Sequence, residues 1–553
     1  MKQKCVVLPV LLLFCVVGFA PFSAAADLPA ETAIDRYVNQ PDDSYRWEVV
    51  SETTSGGMKT VVVDFVSQTW RTSADVDRPE WQHWLTLAIP EKIGTDIGFL
   101  FIGGGRNGRD APQGPSERVV QIAQATGSVV AELGMVPNQP LEFHNDGQKR
   151  TEDDLIGYTW DQYLKTGDET WPARNPMVKS AVRAMDTMTA VMKSETGGNR
   201  KVDRFVVAGG SKRGWTTWLT GAVDPRVVGI VPIVIDVLNV NVSMRHHFEA
   251  YGFWAPSVGD YVKHRIMERM EHPRLADLYH LVDPYYYRHR LTMPKLVLNA
   301  SGDQFFLPDS SQFYWDDLEG PKSLRYVPNA DHGLGGSDGL ESVIAFYSLL
   351  LQGREAPKYD WTVDDDGAFH VTTEQTPVEV RLWQATNPEA RDFRVETLGR
   401  EYTSSVVEAT KPGLYVANVE QPSEGWRAYF VELTYDVGAP VPLKLTTSVK
   451  VVPDTLPYAG KDVSQPATLT IVCTAANVDK ARQLVEDAED FVEIQMLSQT
   501  KLICSRDGKR CYLNCCPSGD FEECAKLLTG WLSEQGAEGF RYQLESGPGI
   551  TKP

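Results

Sequence analysis

The apolar run Arg204-Phe205-Val206-Val207-Ala208 leads into Gly209-Gly210-Ser211 and at once into a segment of helical character that begins at Lys212. A strand that becomes a helix through a serine between small residues needs a sharp, strained corner, with the hydroxyl held out at its tip. That corner requires a strand and a helix packed against each other, as in a layered α/β fold. It also singles out Ser211 as a candidate nucleophile for acyl chemistry. Arg213 stands where the second small residue of such a turn normally falls, and Gly214 comes one place later. An arginine there calls for a wider crossing of helix and strand or for a side chain directed outward.

The surrounding sequence repeats the strand-helix rhythm. Residues 97–102 lack polar alternation, which predicts a strand buried on both faces. A helix over 117–127, a strand over 128–133 and a helix over 175–193 follow. Beyond the serine, strands are expected at 227–235, 295–300 and 324–327, with a closing helix at 340–351. This alternation predicts one wound α/β unit over 96–360 with a mostly parallel sheet. Strands at 45–50, 59–68 and 83–90 place 27–95 as an antiparallel edge of that sheet. Two stretches, 138–174 and 243–291, interrupt the rhythm and predict helical lid insertions that wall a pocket.

Strand-type alternation over 369–451, divided by Pro388, Pro412-Gly413 and Pro422, predicts a β-sandwich. Behind it, 465–553 is expected to be a small cysteine-rich region with a strand at 468–472 and a helix at 477–489. Its six cysteines, Cys473, Cys504, Cys511, Cys515, Cys516 and Cys524, predict disulfides whose pairing the sequence leaves open. Oxidation fits the other end of the chain. Lys2 and Lys4 precede an apolar run and Ala24-Ala25-Ala26, so residues 1–26 read as a secretion signal. The expected location is therefore extracellular or the lumen of the secretory and endolysosomal pathway.

Charge and length exclude some partners. A formal charge of -20 argues against nucleic acid or an anionic membrane surface. No later segment has membrane-spanning length, so stable membrane insertion is not expected. Asn241, in Asn241-Val242-Ser243, is the preferred glycosylation acceptor. A second such triplet begins at Asn299, at a strand end where a glycan would be hard to accommodate.

Two further motifs complete a reactive set. Asp303 follows the strand at 295–300, and His332 follows the strand at 324–327, which gives the order Ser, Asp, His along one sheet edge. In this arrangement His332 takes the Ser211 proton while Asp303 fixes the imidazole tautomer; Asp236 and then Asp331 rank behind Asp303 as the acid. Gly103-Gly104-Gly105 follows the first buried strand, so the N–H groups of Gly104 and Gly105 are oxyanion donors together with that of Lys212. The glycine run matches neither phosphate-loop nor dinucleotide order, and neither a cofactor nor a metal is expected. Arg106, Arg213 and Trp254 are candidate substrate contacts. Glu142, Glu152, Asp153 and Asp154 are candidates for pairing with a peptide ammonium.

Gly-Gly-Ser-Lys-Arg-Gly-Trp-Thr-Thr-Trp-Leu-Thr, followed by Asp224-Pro225-Arg226-Val227, resembles the signature of the PhoPQ-activated pathogenicity-related proteins, a branch of the α/β-hydrolase superfamily. The resemblance spans about residues 30–450 and includes the Trp- and His-rich insertion and Ala-Ser-Gly-Asp-Gln-Phe-Phe at 300–306. It implies an α/β-hydrolase core, with Ser211, Asp303 and His332 at the family's triad positions. The expected activity is cleavage of a small peptide or acyl ester, in the manner of an esterase, an aminopeptidase or a dipeptidyl peptidase. The alternative is a secreted, non-catalytic signalling or adhesion protein on the same scaffold, meeting an extracellular protein through its C-terminal domains.

Overall fold

The structure is a computed structural model that describes residues 31–460 except 365, and four later strands within 467–545. Helix α1 (Ala33–Asn39) precedes an antiparallel ribbon of β1 (Arg46–Ser55), β2 (Met58–Thr69) and β3 (Glu80–Pro90). The chain then lays down β4 (Ile97–Ile102), α2 (Glu117–Thr126) and β5 (Val130–Leu133). A small hairpin, β6 (Leu141–Glu142) and β7 (Lys149–Arg150), leads to α3 (Glu152–Thr166) and α4 (Arg174–Lys193). Next come β8 (Arg204–Gly210), α5 (Lys212–Val223) and β9 (Val227–Ile233). The second insertion carries α6 (Val240–Tyr251), α7 (Gly259–Lys263) and α8 (Pro273–Val282). The unit closes with β10 (Lys295–Ala300), β11 (Lys322–Val327) and α9 (Gly339–Leu351).

Nine strands form one sheet in the order β1-β2-β3-β5-β4-β8-β9-β10-β11. The six from β5 to β11 run parallel, whereas β3 meets β5 antiparallel. Every residue of β4 and β10 is buried, as expected of strands covered by helices on both faces. Because these strands share a direction, the loops after β4, β8, β9, β10 and β11 open at one edge, the usual place for a ligand.

Two antiparallel sheets follow, arranged like a sandwich. One joins β12 (Tyr359–Val363), β13 (Phe369–Thr373), β17 (Leu414–Ala417) and β16 (Ala409–Lys411). The other joins β15 (Thr403–Val406), β14 (Glu379–Asn387), β18 (Trp426–Tyr435) and β19 (Leu443–Thr446), with β20 (Lys450–Val452) on β18. The connection from β14 to β15 carries the short helix α10 (Val395–Leu398). The first strand of this pair of sheets starts ahead of the alternation at 369, because the exposed and half-buried pattern of β12 disguises it.

The boundary is also less open than the sequence pattern suggests. Phe99, Leu298 and Phe346 share one apolar cluster with Phe369, Tyr429 and Leu443. Arg325 of β11 is fully buried and pairs with Glu432 of β18 and with Asp338. The Tyr326 N–H donates to the Thr446 hydroxyl at 2.9 Å.

At the C-terminal end, β21 (Ala467–Val472), β22 (Lys501–Cys504), β23 (Arg510–Cys515) and β24 (Arg541–Glu545) form an antiparallel sheet in the order β22-β23-β21-β24. Cys504 and Cys511 stand opposite each other in its register. The expected signal at 1–26, the helix at 477–489 and residues Cys473, Cys516 and Cys524 lie outside the described residues. The expected disulfides of this region therefore receive no structural description. Among the described residues no helix is long and apolar enough to cross a membrane.

Candidate active site

Ser211 caps α5 with φ 57° and ψ -127°, a conformation that costs a non-glycine residue of order 1–3 kcal/mol. The corner is pinned from both sides: the Ser211 N–H donates to Ile233 O at 2.8 Å, and Trp215 N–H to Ser211 O at 3.0 Å. A Cβ on Gly209 would lie 2.7 Å from Arg213 O, and one on Gly214 would lie 2.9 Å from both Gly209 O and Ile233 O. Gly214 thus provides the close helix-strand approach that the motif usually assigns one residue earlier. Arg213 is accommodated by the second of the two expected routes, a side chain that leaves the crossing.

His332 and Asp303 arrive from the neighbouring strand ends. His332 Nδ1 lies 2.8 and 3.0 Å from the two oxygens of Asp303, and Asp303 also accepts the Phe305 N–H at 2.7 Å. Gln304 accepts the His332 N–H at 2.9 Å. The imidazole packs at a tilt against Phe305 and Phe306, with ring centroids 4.3 and 6.1 Å away. Both phenylalanines line the same cavity as Ser211. His332 Nε2 is buried without a hydrogen-bond partner. With Nδ1 given to the carboxylate, Nε2 is the nitrogen left for a proton from Ser211.

Asp236, the second-ranked acid, is placed elsewhere. It is fully buried and accepts hydrogen bonds from Tyr314 at 2.6 Å and Tyr326 at 2.5 Å. Burial pushes its carboxyl up to about 8 despite those two donors. Asp331 accepts the Gly333 N–H at 3.0 Å and faces Arg400 at 3.8 Å.

The glycine run is adjacent to the serine corner by register, since Ile102 of β4 is paired with Gly209 of β8. Gly105 has φ 146°, which favours glycine, and a Cβ there would sit 3.1 to 3.4 Å from Met135. At Gly104 a Cβ would meet the Arg213 guanidinium at 2.7 Å. The Lys212 N–H lies in the first turn of α5, where intrahelical acceptors are lacking. Gly104, Gly105 and Lys212 are therefore grouped around the Ser211 corner.

The cavity in front of Ser211 is narrow, about 50 Å³. At one water per roughly 10–15 Å³ on that measure, it holds only a few atoms. Its walls come largely from the two insertions: Trp160 and Arg174 from the first, Met244, Tyr261 and Tyr279 from the second. The aromatic walls were legible as composition of the insertions, but not as individual residues. Arg174 gave no signal because it closes an insertion and opens a helix.

Several candidate substrate contacts are engaged differently from the sequence expectation. Trp254 is 1% exposed and packs on His247 and Phe248, away from the cavity lining. Its large apolar surface serves the interior of the insertion. Arg213 donates to Val136 O at 2.5 Å and to Glu152 at 2.7 Å, so it ties down the glycine loop's neighbourhood. Arg106 is exposed on the loop after Gly105 and is not part of the cavity wall.

The ammonium candidates are also taken. The Lys212 side chain lies 2.9 Å from Glu152 and 3.0 Å from Asp153. Burial opposes ionisation of Glu152, yet Lys212 and Arg213 outweigh it and hold that carboxyl down to about 2. Asp154 pairs with Lys263 at 2.9 Å and His264 at 2.6 Å, and Glu142 accepts the Gly147 N–H at 3.0 Å. Of the glycosylation sites, Asn299 is buried. Asn241 is half-buried in the first turn of α6, with its triplet's Ser243 bonded to Leu238 O at 2.9 Å.

A mainly parallel sheet with a serine on a strained strand-to-helix corner, and an Asp-His pair at the same edge, is an α/β-hydrolase fold. Residues 34–394 match the PhoPQ-activated pathogenicity-related protein family, and the chain belongs to that family. It is 37% identical over 459 residues to autocrine proliferation repressor protein A of Dictyostelium discoideum, a match covering 78% of this chain and 92% of that one. Among solved structures, it resembles acetyl xylan esterase 1 of Thermoanaerobacterium sp. JW/SL YS485, with TM-score 0.38, 13% identity and coverage of 56% of this chain and 90% of that one. An acetyl xylan esterase from Paenibacillus sp. R4 gives TM-score 0.39 at 16% identity, covering 56% of this chain and 91% of that one.

Proposed function

We propose that this protein is a secreted serine hydrolase that cleaves a small acyl ester or peptide through an acyl-enzyme. One observation carries the reading: Ser211 shares a cavity with the aromatic backing of His332, whose Nδ1 is held by Asp303 and whose Nε2 is buried and unpartnered. His332 Nε2 takes the Ser211 proton as Oγ bonds to the substrate carbonyl carbon. The N–H groups of Gly104, Gly105 and Lys212 receive the developing oxyanion. Collapse breaks the bond to the leaving alcohol or amine, which takes the proton from His332. Water then attacks the acyl-enzyme, returns a proton through His332 and releases the acid and free Ser211. The Ser211 to His332 hydrogen bond forms as substrate binds.

The narrow cavity favours a short acyl group over a peptide side chain. Engagement of Glu152, Asp153 and Asp154 by cations further favours an ester over an aminopeptidase or dipeptidyl-peptidase substrate. Labelling of the purified protein with a fluorophosphonate is the direct measurement. Reaction at Ser211, lost in Ser211→Ala, is expected; a reagent that leaves Ser211 untouched refutes the mechanism.

A second reading draws on the 37% identity to a protein whose name is autocrine proliferation repressor. Here the chain is an extracellular signal, with a protein partner meeting its C-terminal sheets. Retention of a growth-repressing effect by Ser211→Ala would favour that reading, whereas loss of it together with labelling would unite the two.

A further inference from the structure

Four arginines are among the largest fully buried side chains: Arg174, Arg325, Arg391 and Arg394. Three have carboxylate partners. Arg325 pairs with Asp338 and Glu432, Arg391 with Asp309 at 2.6 Å, and Arg394 with Asp392 at 2.6 Å. Arg174 makes no ion pair among the described residues. It donates to Lys212 O at 2.9 Å, shares a hydrogen bond with Tyr261, stacks on Trp215 at 4.4 Å, and leaves its Nε buried without a partner. It lines the cavity that holds Ser211.

An unpaired buried cation is costly, and proteins ordinarily supply its counter-charge. Asp153, whose field reaches Arg174, is already bonded to Lys212 and to the Tyr261 hydroxyl. The cations Lys212, Arg213 and Arg174 thus share two carboxylates, Glu152 and Asp153, in this cluster. One positive charge beside the Ser211 cavity is left over. A singly charged, planar carboxylate that accepts the unpartnered Nε–H answers that charge and that donor. A phosphate would bring more charge and bulk than the narrow cavity matches.

Resting on the hydrolase reading above, we infer that Arg174 binds a carboxylate of the substrate, so that the preferred substrates are short acyl esters carrying a carboxylate a few atoms from the scissile carbonyl. Trp160 and Trp215 wall the intervening methylene groups, and the surrounding aromatic surface excludes the water that would otherwise weaken the pair.

The full-length protein is assayed with 4-nitrophenyl hydrogen succinate and with 4-nitrophenyl pentanoate, an uncharged ester of similar length. A kcat/KM at least about tenfold higher for the succinate ester is expected of the native protein. The kcat/KM for the succinate ester should fall by about thirtyfold or more in Arg174→Gln, mainly through KM and with the pentanoate little changed, and Arg174→Lys should retain part of it. Equal use of both esters by the native protein overturns the inference even if Arg174→Gln fails to fold. Calorimetry of succinate with Ser211→Ala separates this idea from the hydrolase reading, because it needs no turnover. Saturable binding that Arg174→Gln abolishes supports the carboxylate site even where Ser211 proves unreactive. Fluorophosphonate labelling of Ser211 without succinate binding overturns the carboxylate site and leaves the hydrolase intact.

Discussion

The two sides of the site are held in place by different means. Ser211 is fixed by residues close to it in sequence: Gly209, Gly214, Trp215 and the next strand's Ile233. The Asp303 and His332 loops are fixed from afar, by the 388–402 connection between two strands of the sandwich. Val395 N–H donates to Gly302 O at 3.0 Å, and Arg391 pairs with Asp309. Asn329, three residues before the histidine, exchanges hydrogen bonds with Tyr402 at 2.8 and 2.9 Å. The Ser211 side is therefore a local motif, while the Asp303 and His332 side depends on a second unit folded against it. Such an arrangement makes the sandwich a support for the proposed site as well as an appendage.

The sharpest contrast is expected at the acid itself. Asp303→Asn keeps the geometry but favours the wrong imidazole tautomer, so kcat for ester hydrolysis should fall by about 10⁴. A fall of less than tenfold would mean that another carboxylate orients His332. Next comes the brace. Burial opposes ionisation of Asp309, but Arg391 and His246 hold its carboxyl well below the ordinary range. Arg391→Met leaves that acid with His246 and Gln312 but without its guanidinium, and chemical denaturation should show about 3–5 kcal/mol lost.

A milder cut should separate positioning from stability. Asn329→Ala removes both contacts to Tyr402, and a displacement of about 1 Å at the histidine should lower kcat by up to about 10² with KM little changed. An unaltered kcat in a folded variant would show that the local loop alone positions His332. A last contrast, in pH dependence, concerns Asp236, which follows the strand behind Ser211 and accepts bonds from Tyr314 and Tyr326 of the His332 side. Its folded value of about 8 lies above the unfolded carboxyl's value of about 4. The protonated form is thus favoured by folding, and its contribution is complete at low pH and lost as pH rises from about 4 through about 8. The loss amounts to about 1 kcal/mol per pH unit in that window. Asp236→Asn should flatten the decline in thermal stability between pH 5 and 8; an identical decline would place the titration elsewhere.

Much of the sheet was legible because its strands are apolar on both faces and separated by helical periods. The runs at 97–102, 204–208 and 295–300 fall on β4, β8 and β10. Spatial order was less legible: β5 enters between β3 and β4, a choice governed by crossover handedness and packing. The exposed faces of β12 hid the first strand of the sandwich, and alternation at 369–451 gave no sign that it shares a core with α9. Among site residues, Asp303 and His332 could be found because each follows a buried strand by a few residues. Trp254 and Arg213 could not be judged from residue type, since an indole or a guanidinium serves a pocket or an interior equally well.

Sequence by itself determined the strained corner at Ser211, because small residues before and after a strand-to-helix junction leave the backbone few alternatives. It likewise determined the order in which nucleophile, acid and histidine reach one edge of a parallel sheet. Tertiary structure alone decided which charges are paired and which are not: Glu152 and Asp153 together neutralise Lys212 and Arg213, while Arg174 is buried beside the cavity without an ion pair among the described residues. The reason is physical. Local backbone geometry is encoded by neighbouring residues, whereas the environment of a charge depends on groups that only packing brings within a few ångströms.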